Sequence, residues 1–509
     1  MADPVFGITI RKVDREPRPV YGADLSTIGL IGPAPDANAA IFPLNEPVLV
    51  YSNDRDKAGA LGATGYMTDA LEGINAQLGE GQFAARVVVV RTAAGTNVDA
   101  TLKSQETMAA ILGSSVLQTG IWAFLKSGEK LGVIPRLLIA PGYTGQMANA
   151  VDVLTVTTPG AGYAPGQVVP LTFTGGGTGP VIQATGHGTA DETGAITADD
   201  VYLDTYGAWY TSAPTVTAAA PAGGGTTLAL TATVAMGANP VVSLMEPVLN
   251  QMYAHAIVES AGTSEQNDID WRETISSQRI IPVMGGVKVF DTVFGTVARP
   301  IAPRIAGIAV RRDHEKGAPF HSWANQPIHG ILGPGREISF QITDDANEGQ
   351  RLLLANIGVL VRGEVGNDFS IASGGFVFIG TDVATDDPIW QFYNVTRGRD
   401  FIHLGVLRTY RDFLGRWNIV GHTIQALLNT LGFFLRDLKA DEHILGYRVN
   451  FNPDSNSPEK IRLGHLTVAF AAEEPPVLRR ITVESSRYRP AIEAMVAQLE
   501  SQLNLSMTA

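Results

Sequence analysis

The stretch WNIVGHTIQALLNTLGFFLRDL, Trp417 to Leu438, decides how the last third of the chain folds. Trp417, Val420, Ile424, Leu427, Leu431, Phe434 and Leu438 recur at alternating steps of three and four residues, which in a helix places them on one stripe. His422, Gln425, Asn429, Arg436 and Lys439 fall on the other face, so the stretch predicts one amphipathic helix. Shorter segments around it alternate with a period of two: Trp390 to Val395, Gly446 to Phe451 and His465 to Phe470. Tyr447, Val449 and Phe451 share one face, as do Leu466, Val468 and Phe470. A sheet crossed by a helix follows.

The next residues separate one more strand from that sheet. Glu473, Glu474, Pro475 and Pro476 are expected to end it, because proline has no N–H for the ladder and paired carboxylates are costly to bury. Val477 to Ser485 then reads as a strand again, with Ile481 and Val483 on one face and Arg480, Thr482 and Glu484 on the other. The N-terminus repeats the arrangement: Phe6, Ile8 and Ile10 alternate with Gly7, Thr9 and Arg11, and Glu16 to Pro19 set them apart from the body. Detached terminal strands either close their own sheet or add to the sheet of a neighbour.

A chain of 509 residues exceeds a single core and predicts about three domains. Hydrophobic residues at 45% and charged residues at 17% describe an ordered chain with a weakly charged surface, suited to burial against other copies. The absence of cysteine excludes disulfides, thiol nucleophiles and zinc–thiolate sites. A net charge of −13 argues against sequence-independent binding of nucleic acid. Met1 to Ile10 lacks the pattern of a signal peptide, and no apolar run reaches the ~18 residues of a membrane span. The expectation is a soluble chain made in the cytoplasm, with no membrane insertion.

From Asp24 onward strand-like and helix-like units alternate. Thr27 to Ile31, Val48 to Tyr51, Arg86 to Val90 and Leu137 to Ala140 read as strands, and Asp69 to Leu78 and Thr101 to Leu112 as helices. The alternation resumes with Leu244 to Tyr253 and Glu265 to Ser276 as helices, and His255 to Val258 and Arg279 to Val283 as strands. A largely parallel sheet covered by helices follows. Between Arg136 and Arg272 there is no lysine or arginine, and threonine, glycine, alanine and valine dominate, the composition of turn-rich antiparallel β structure. That segment also repeats itself: Gly160 to Tyr163 returns as Gly207 to Tyr210, and Gly175 to Gly177 as Gly223 to Gly225, which predicts two similar β units.

The fold class is therefore α/β and α+β multidomain. A discontinuous α/β domain (24–145 and 237–385) carries an inserted all-β domain (146–236), and a C-terminal α+β domain (386–472) follows. An N-terminal arm (1–23) and a C-terminal arm strand with a terminal helix (473–509) flank them.

No pattern points to catalysis. The run Gly175 to Gly179 lacks the lysine and the following helix of a P-loop and reads as a hairpin turn. The connector His329 to Gly335 carries no catalytic spacing. His314, His321 and His329 lie in a proline-rich connector without metal-ligand spacing, so neither a metal site nor a cofactor site is assigned. Asp344, Asp345 and Glu348 read as the first turn of a helix holding Leu352 to Val361, and Asp382, Asp386 and Asp387 as a solvated loop.

The stretch from about Ile338 to Val483 resembles the sheath subunit of a contractile phage tail. The residues that carry the likeness are Asn356 to Val361, Val377 to Thr381, Trp390 to Val395 followed by Arg397, Gly398 and Arg399, Leu431 to Phe433 inside the central helix, and Gly464 to Phe470 before the Pro-Pro break. The resemblance implies a homo-oligomer of stacked six-fold rings around a tail tube protein, bounded by baseplate and terminator proteins. It would be part of a virion tail assembled in the host cytoplasm, without enzyme activity, cofactor or direct nucleic-acid contact. It also implies that the terminal strands are arms added to neighbouring subunits, with Phe6, Ile8, Ile10, Ile481 and Val483 carrying the linkage. The sheath of a tail-derived bacteriocin or secretion machine is the neighbouring reading. A glycan-binding or glycan-cleaving surface protein is a reading of another class, resting on the β insert alone. That insert resembles small decoration domains of virion surfaces, which implies adhesion or stabilisation. After Ser485, Ile492, Met495, Val496, Leu499 and Leu503 form a helical stripe that reads either as an exposed cap or as an added contact between subunits.

Overall fold

Runs of residues buried on both faces make strands that only a two-sided sheet can accommodate, and Arg86–Thr92 is such a run. The structure, a computed structural model, describes residues 24–79 and 83–507. Its principal sheet has six strands in the order Ile280–Val283, His255–Glu259, Leu137–Ile139, Ile28–Pro33, Arg86–Thr92 and Pro47–Tyr51. All neighbours are parallel except the last pair, where Pro47 faces Val90. Side-chain alternation divides the strands between two cores. Val87 and Val89 pack with helices Met67–Gln77 and Ala302–Lys316. Val88 and Val90 pack with Ala100–Leu112 and Pro240–Met252. Both helices of the second pair start where a side chain accepts the first free N–H groups, Asp99 from Thr101 and Leu102, and Asn239 from Val241 and Val242.

Between Leu137–Ile139 and His255–Glu259 the chain makes an antiparallel sheet in the order Val201–Thr205, Thr185–Thr189, Val168–Thr174, Thr215–Ala218, Ala229–Gly237 and Ala148–Thr158. The chain enters and leaves it side by side, since Gly237 pairs with Ala148. Its outer strands approach each other as well: Val151 N donates to Tyr206 O at 2.9 Å, and Tyr210 N to Asn149 O at 3.2 Å, giving a nearly closed barrel. The internal repeat does not make two separate units. It makes two equivalent turns, each held by the glycine triplet of the other copy: Ala161 pairs with Thr226 beside Gly225, and Thr211 N donates to Gly176 O. The two repeated tyrosines are buried, and the hydroxyl of each accepts a backbone N–H, Tyr163 from Leu228 and Tyr210 from Ala184.

The insert has its own apolar cluster around Phe173 and Tyr210, yet Ala208 and Trp209 belong to the core beneath Pro240–Met252. Replacing 146–236 by a short Gly/Ser linker is expected to leave a folded chain, because loop closure depends weakly on length. Its melting temperature should fall, since Trp209 leaves the neighbouring core. Loss of soluble protein on that deletion would mean that the barrel is indispensable to the body.

Several segments depart from the sequence reading, among them Asp344 and Asp345, which precede the N-cap Asn347 rather than form the first turn of a helix. Leu352 to Val361 is not one helix: Glu348–Leu354 ends, Asn356 turns the chain at φ 61, and Val359–Arg362 is a strand paired with Phe376–Ile379. The β-branched Val359 and Val361 suit that strand. Trp390 to Val395 is not a strand, because the extended entry lasts only to Phe392, which bridges Asp382, and helix Tyr393–Tyr410 follows. The strand placed at His465 to Phe470 is Ala469–Glu473, because Asn456 holds Thr467 from both sides, accepting from Thr467 N at 2.7 Å and donating to Thr467 O at 2.9 Å. Asp382 is buried rather than solvated, with Thr381 Oγ1 and Gln391 Nε2 donating to it.

Among the described residues, no helix is long and apolar enough to cross a membrane.

Candidate assembly surface

The helix Tyr393–Tyr410 joins the principal sheet to everything that follows it, and its first two turns are buried because polar groups on several elements receive them. Tyr393 stacks on Trp323 at 4.3 Å, and its hydroxyl donates to Gly380 O at 2.9 Å. Arg397 and Asp313 form an ion pair at 2.6 Å with each side chain only 1% exposed. Arg397 also donates to Leu25 O and lies over the Trp323 ring, while Ser26 Oγ donates to Asp313, so both oxygens of that buried carboxylate accept hydrogen bonds. One turn on, Asp400 pairs with Arg279, and Thr396 Oγ1 shares a 3.0 Å hydrogen bond with His255 Nε2.

On its other side the same helix holds the C-terminal hairpin. Arg399 donates to both carboxylate oxygens of Glu474, at 2.7 and 2.8 Å, and to Ala472 O at 2.7 Å. Glu474 is therefore buried, against the expectation that the carboxylates before the prolines stay in water, and Glu473 is the last residue of the strand. A bidentate guanidinium replaces the hydration that burial removes. Gly398 admits this close fit, since a Cβ there would stand 2.5 Å from Phe320 Cδ1.

The central helix runs from Gly421 to Ala440 and crosses the joint helix where Gly405 meets Phe434, a Cβ at 405 falling 2.4 Å from Phe434 Cζ. It buries Leu427, Leu431, Leu435 and Leu438. Trp417 and Val420 precede the helix and are exposed, and Leu435 is the inward residue that the stripe omitted. Beneath it Tyr447, Val449, Phe470 and Ala472 present one face of the hairpin formed by Gly446–Asn450 and Ala469–Glu473.

This sheet has two strands among the described residues. Successive carbonyls point to opposite sides of a strand. Glu473 O faces Leu445 N, so Ala472 O faces outward and is taken by Arg399. Gly446–Asn450 pairs with no strand other than Ala469–Glu473 among the described residues. A first compact unit of the chain ends at Pro475 and a second starts at Pro476. Within the second, 477–485 belongs to no ladder among the described residues, and Ile481 and Val483 are 72% and 82% exposed. Helix Arg489–Met507 follows, with Ile492, Met495, Val496 and Leu499 exposed. Phe6, Ile8 and Ile10 lie outside the described residues.

The three connector histidines are spread through the body: His314 packs on Phe83 at 4.2 Å, His321 lies 5.9 Å from His443, and the His329 backbone binds Gln77. Among the described residues no group of histidines and carboxylates has the geometry of a metal site. The sequence assigned no partner to Arg397 or Arg399, and it used Glu474 only as a strand end. Charged residues inside Arg397-Gly398-Arg399-Asp400, flanked by apolar residues, were the available signal.

Burial, with Arg279 and Arg397 nearby, holds His255 well below the ordinary histidine range, and burial lowers His321, His403 and His443 as well. As pH falls through about 6.5 the unfolded chain takes up these protons before the folded one. Stability is thus complete above that pH and declines below it, toward the folded-state values. Glu259, raised by burial, acts in the opposite sense in the window above 4.5. The melting temperature is expected to be lower at about pH 5.5 than at about pH 7.5, and His255→Gln to flatten the difference. An unchanged melting temperature across that interval would contradict the account.

No protein-family model matches the chain. The tail sheath protein of Escherichia phage P2 is 20% identical over 489 residues, covering 95% of each chain. The major tail sheath protein of Serratia phage KSP20 is 37% identical over 135 residues, which span 26% of this chain and 32% of that one. The sheath complex of the extracellular contractile injection system PVC in its contracted state is similar in fold, with a TM-score of 0.53 at 10% identity, covering 96% of this chain and 99% of that one. The helical sheath of the anti-feeding prophage in its contracted state gives a TM-score of 0.51 at 13% identity.

Proposed function

We propose that this chain is the structural subunit of a contractile phage tail sheath, whose copies stack as six-fold rings around a tail tube and shorten to drive it through a host envelope. The likeness to the phage P2 tail sheath protein, which runs through 95% of both chains, supports the family. The carrying observation in the structure is a hairpin whose strand Gly446–Asn450 has a single strand partner among the described residues, in a chain where the alternating segment 477–485 belongs to no ladder among them. A two-stranded sheet is marginal alone, and a third strand from another copy would complete it.

In this reading 477–485 of one subunit, and Phe6, Ile8 and Ile10 of another, add to hairpins of neighbouring subunits. The hydrogen bonds would link backbone to backbone, so the linkage needs neither nucleotide nor metal. The buried pairs Arg397–Asp313 and Arg399–Glu474 tie each hairpin rigidly to its own body, so that a pull on an arm moves the whole subunit. The tube protein, a baseplate and a terminator are the further partners of such a subunit, and assembly would take place in the host cytoplasm.

Electron microscopy of the purified chain tests the reading. Long hollow tubes or stacked rings are expected. Dispersed monomers at every concentration and salt condition would rule it out.

A further inference from the structure

The mouth of the nearly closed barrel faces the start of helix Pro240–Met252 across a cleft of about 530 Å³. That volume lies in the range of roughly 300–1,000 Å³ typical of small-molecule sites, and barrel mouths are among their usual places. Nothing in the sheath reading uses it.

The cleft is unusual in what it offers a ligand. Ser243 Oγ already donates to Asn239 O at 3.1 Å, Thr274 Oγ1 to Trp271 O at 2.6 Å, and Thr205 Oγ1 is engaged with Thr185 Oγ1 at 2.8 Å. Its hydroxyl lining is therefore largely satisfied within the protein. What is left is mostly acceptors and apolar surface: the carboxylates of Asp152 and Asp204, Met236, and Tyr206, whose ring is apolar and whose hydroxyl can donate or accept. Tyr206 and Met236 are each 61% exposed, large for side chains on the wall of a cleft. Asp204 is held in place by His187 Nδ1 at 2.9 Å, and His187 is in turn stacked on Tyr202.

No lysine or arginine lines the cleft, and none occurs anywhere between Arg136 and Arg272. An anionic ligand would meet two carboxylates with no counter-charge. The complementary molecule has several hydroxyl donors, no negative charge and an apolar face that can lie on an aromatic ring. We propose that this cleft binds a neutral saccharide, its ring face on Tyr206 and Met236 and its hydroxyls donating to Asp152 and Asp204. Binding at this place would give a tail subunit a foothold on uncharged surface glycans. It requires no chemistry on the sugar, and it does not depend on whether the chain assembles.

Saturation-transfer NMR on the full chain tests it, with maltotriose, cellotriose and lactose as neutral probes, sialyllactose as an anionic one and spermine as a cation. Saturation should reach the ring protons of at least one neutral probe and not those of sialyllactose. Tyr206→Ala and Asp204→Asn should each weaken the titrated affinity by roughly tenfold, the loss expected for one ring face or one charge-assisted hydrogen bond. Both side chains are well exposed, so the fold should survive, and the circular dichroism of each variant verifies that. Three results would overturn the proposal: no transfer to any neutral probe, affinity unchanged in Tyr206→Ala, or spermine bound in preference to every sugar. The last would assign the cleft to a cation instead.

Discussion

Ile481→Pro is expected to abolish tube formation while leaving the melting temperature of the isolated subunit almost unchanged. Proline removes one backbone donor and one apolar side chain from 477–485, a segment that forms no ladder among the described residues. The ladder at stake belongs to the assembly, where the partner would be the hairpin edge of another copy. Ile8→Pro should give the same pair of outcomes, because Ile8 occupies the matching position in the N-terminal alternation. Sedimentation and calorimetry separate the alternatives. If the strand instead closes a sheet of its own subunit, proline would cost about 3 kcal/mol or more of that subunit's stability. A large drop in melting temperature with tubes still forming would sink the arm assignment.

Arg397→Met should have the largest effect on the subunit itself. It leaves Asp313 almost fully buried with Ser26 Oγ as its remaining donor among the described residues, and removes the guanidinium from Leu25 O and from the face of Trp323. Removing one member of a buried pair typically costs about 3–5 kcal/mol, chiefly because the other charge is stranded. The double substitution Arg397→Met with Asp313→Leu should recover much of that loss, since it removes the stranded charge as well. Chemical denaturation of the three proteins measures both numbers. A single variant within about 1 kcal/mol of the parent would mean that this joint is not what holds the helix Tyr393–Tyr410 to the body.

The two predictions rest on different kinds of information. The arm proposal rests on the residues themselves: a period-two apolar pattern after a Pro-Pro break is local, and Ile481 and Val483 alternate whatever surrounds them. The parallel sheet was legible in the same local way, since Val87 to Val90 announce a strand buried on both faces, and so was the inserted antiparallel sheet, which lies within a run without lysine or arginine. Locally encoded features survive the passage from sequence to structure because backbone period and turn chemistry act over a few residues.

What only the tertiary structure decided depends on distant partners. Phe434 and Leu435 are equally apolar, and it was the crossing at Gly405 that placed Phe434 beside the joint helix and turned Leu435 into the core. Trp390 to Val395 alternates like a strand, but Trp323, Asp313 and His255, each remote in sequence, favour burying the first turns of a helix there. Glu474 looked too polar to bury until Arg399, in the helix Tyr393–Tyr410, supplied two hydrogen bonds to it. The sequence by itself determined most of the parallel sheet and its covering helices, because their periods are local. Which charges could be buried, and where the chain left one period for another, was set by partners that only the folded chain brings within hydrogen-bonding distance.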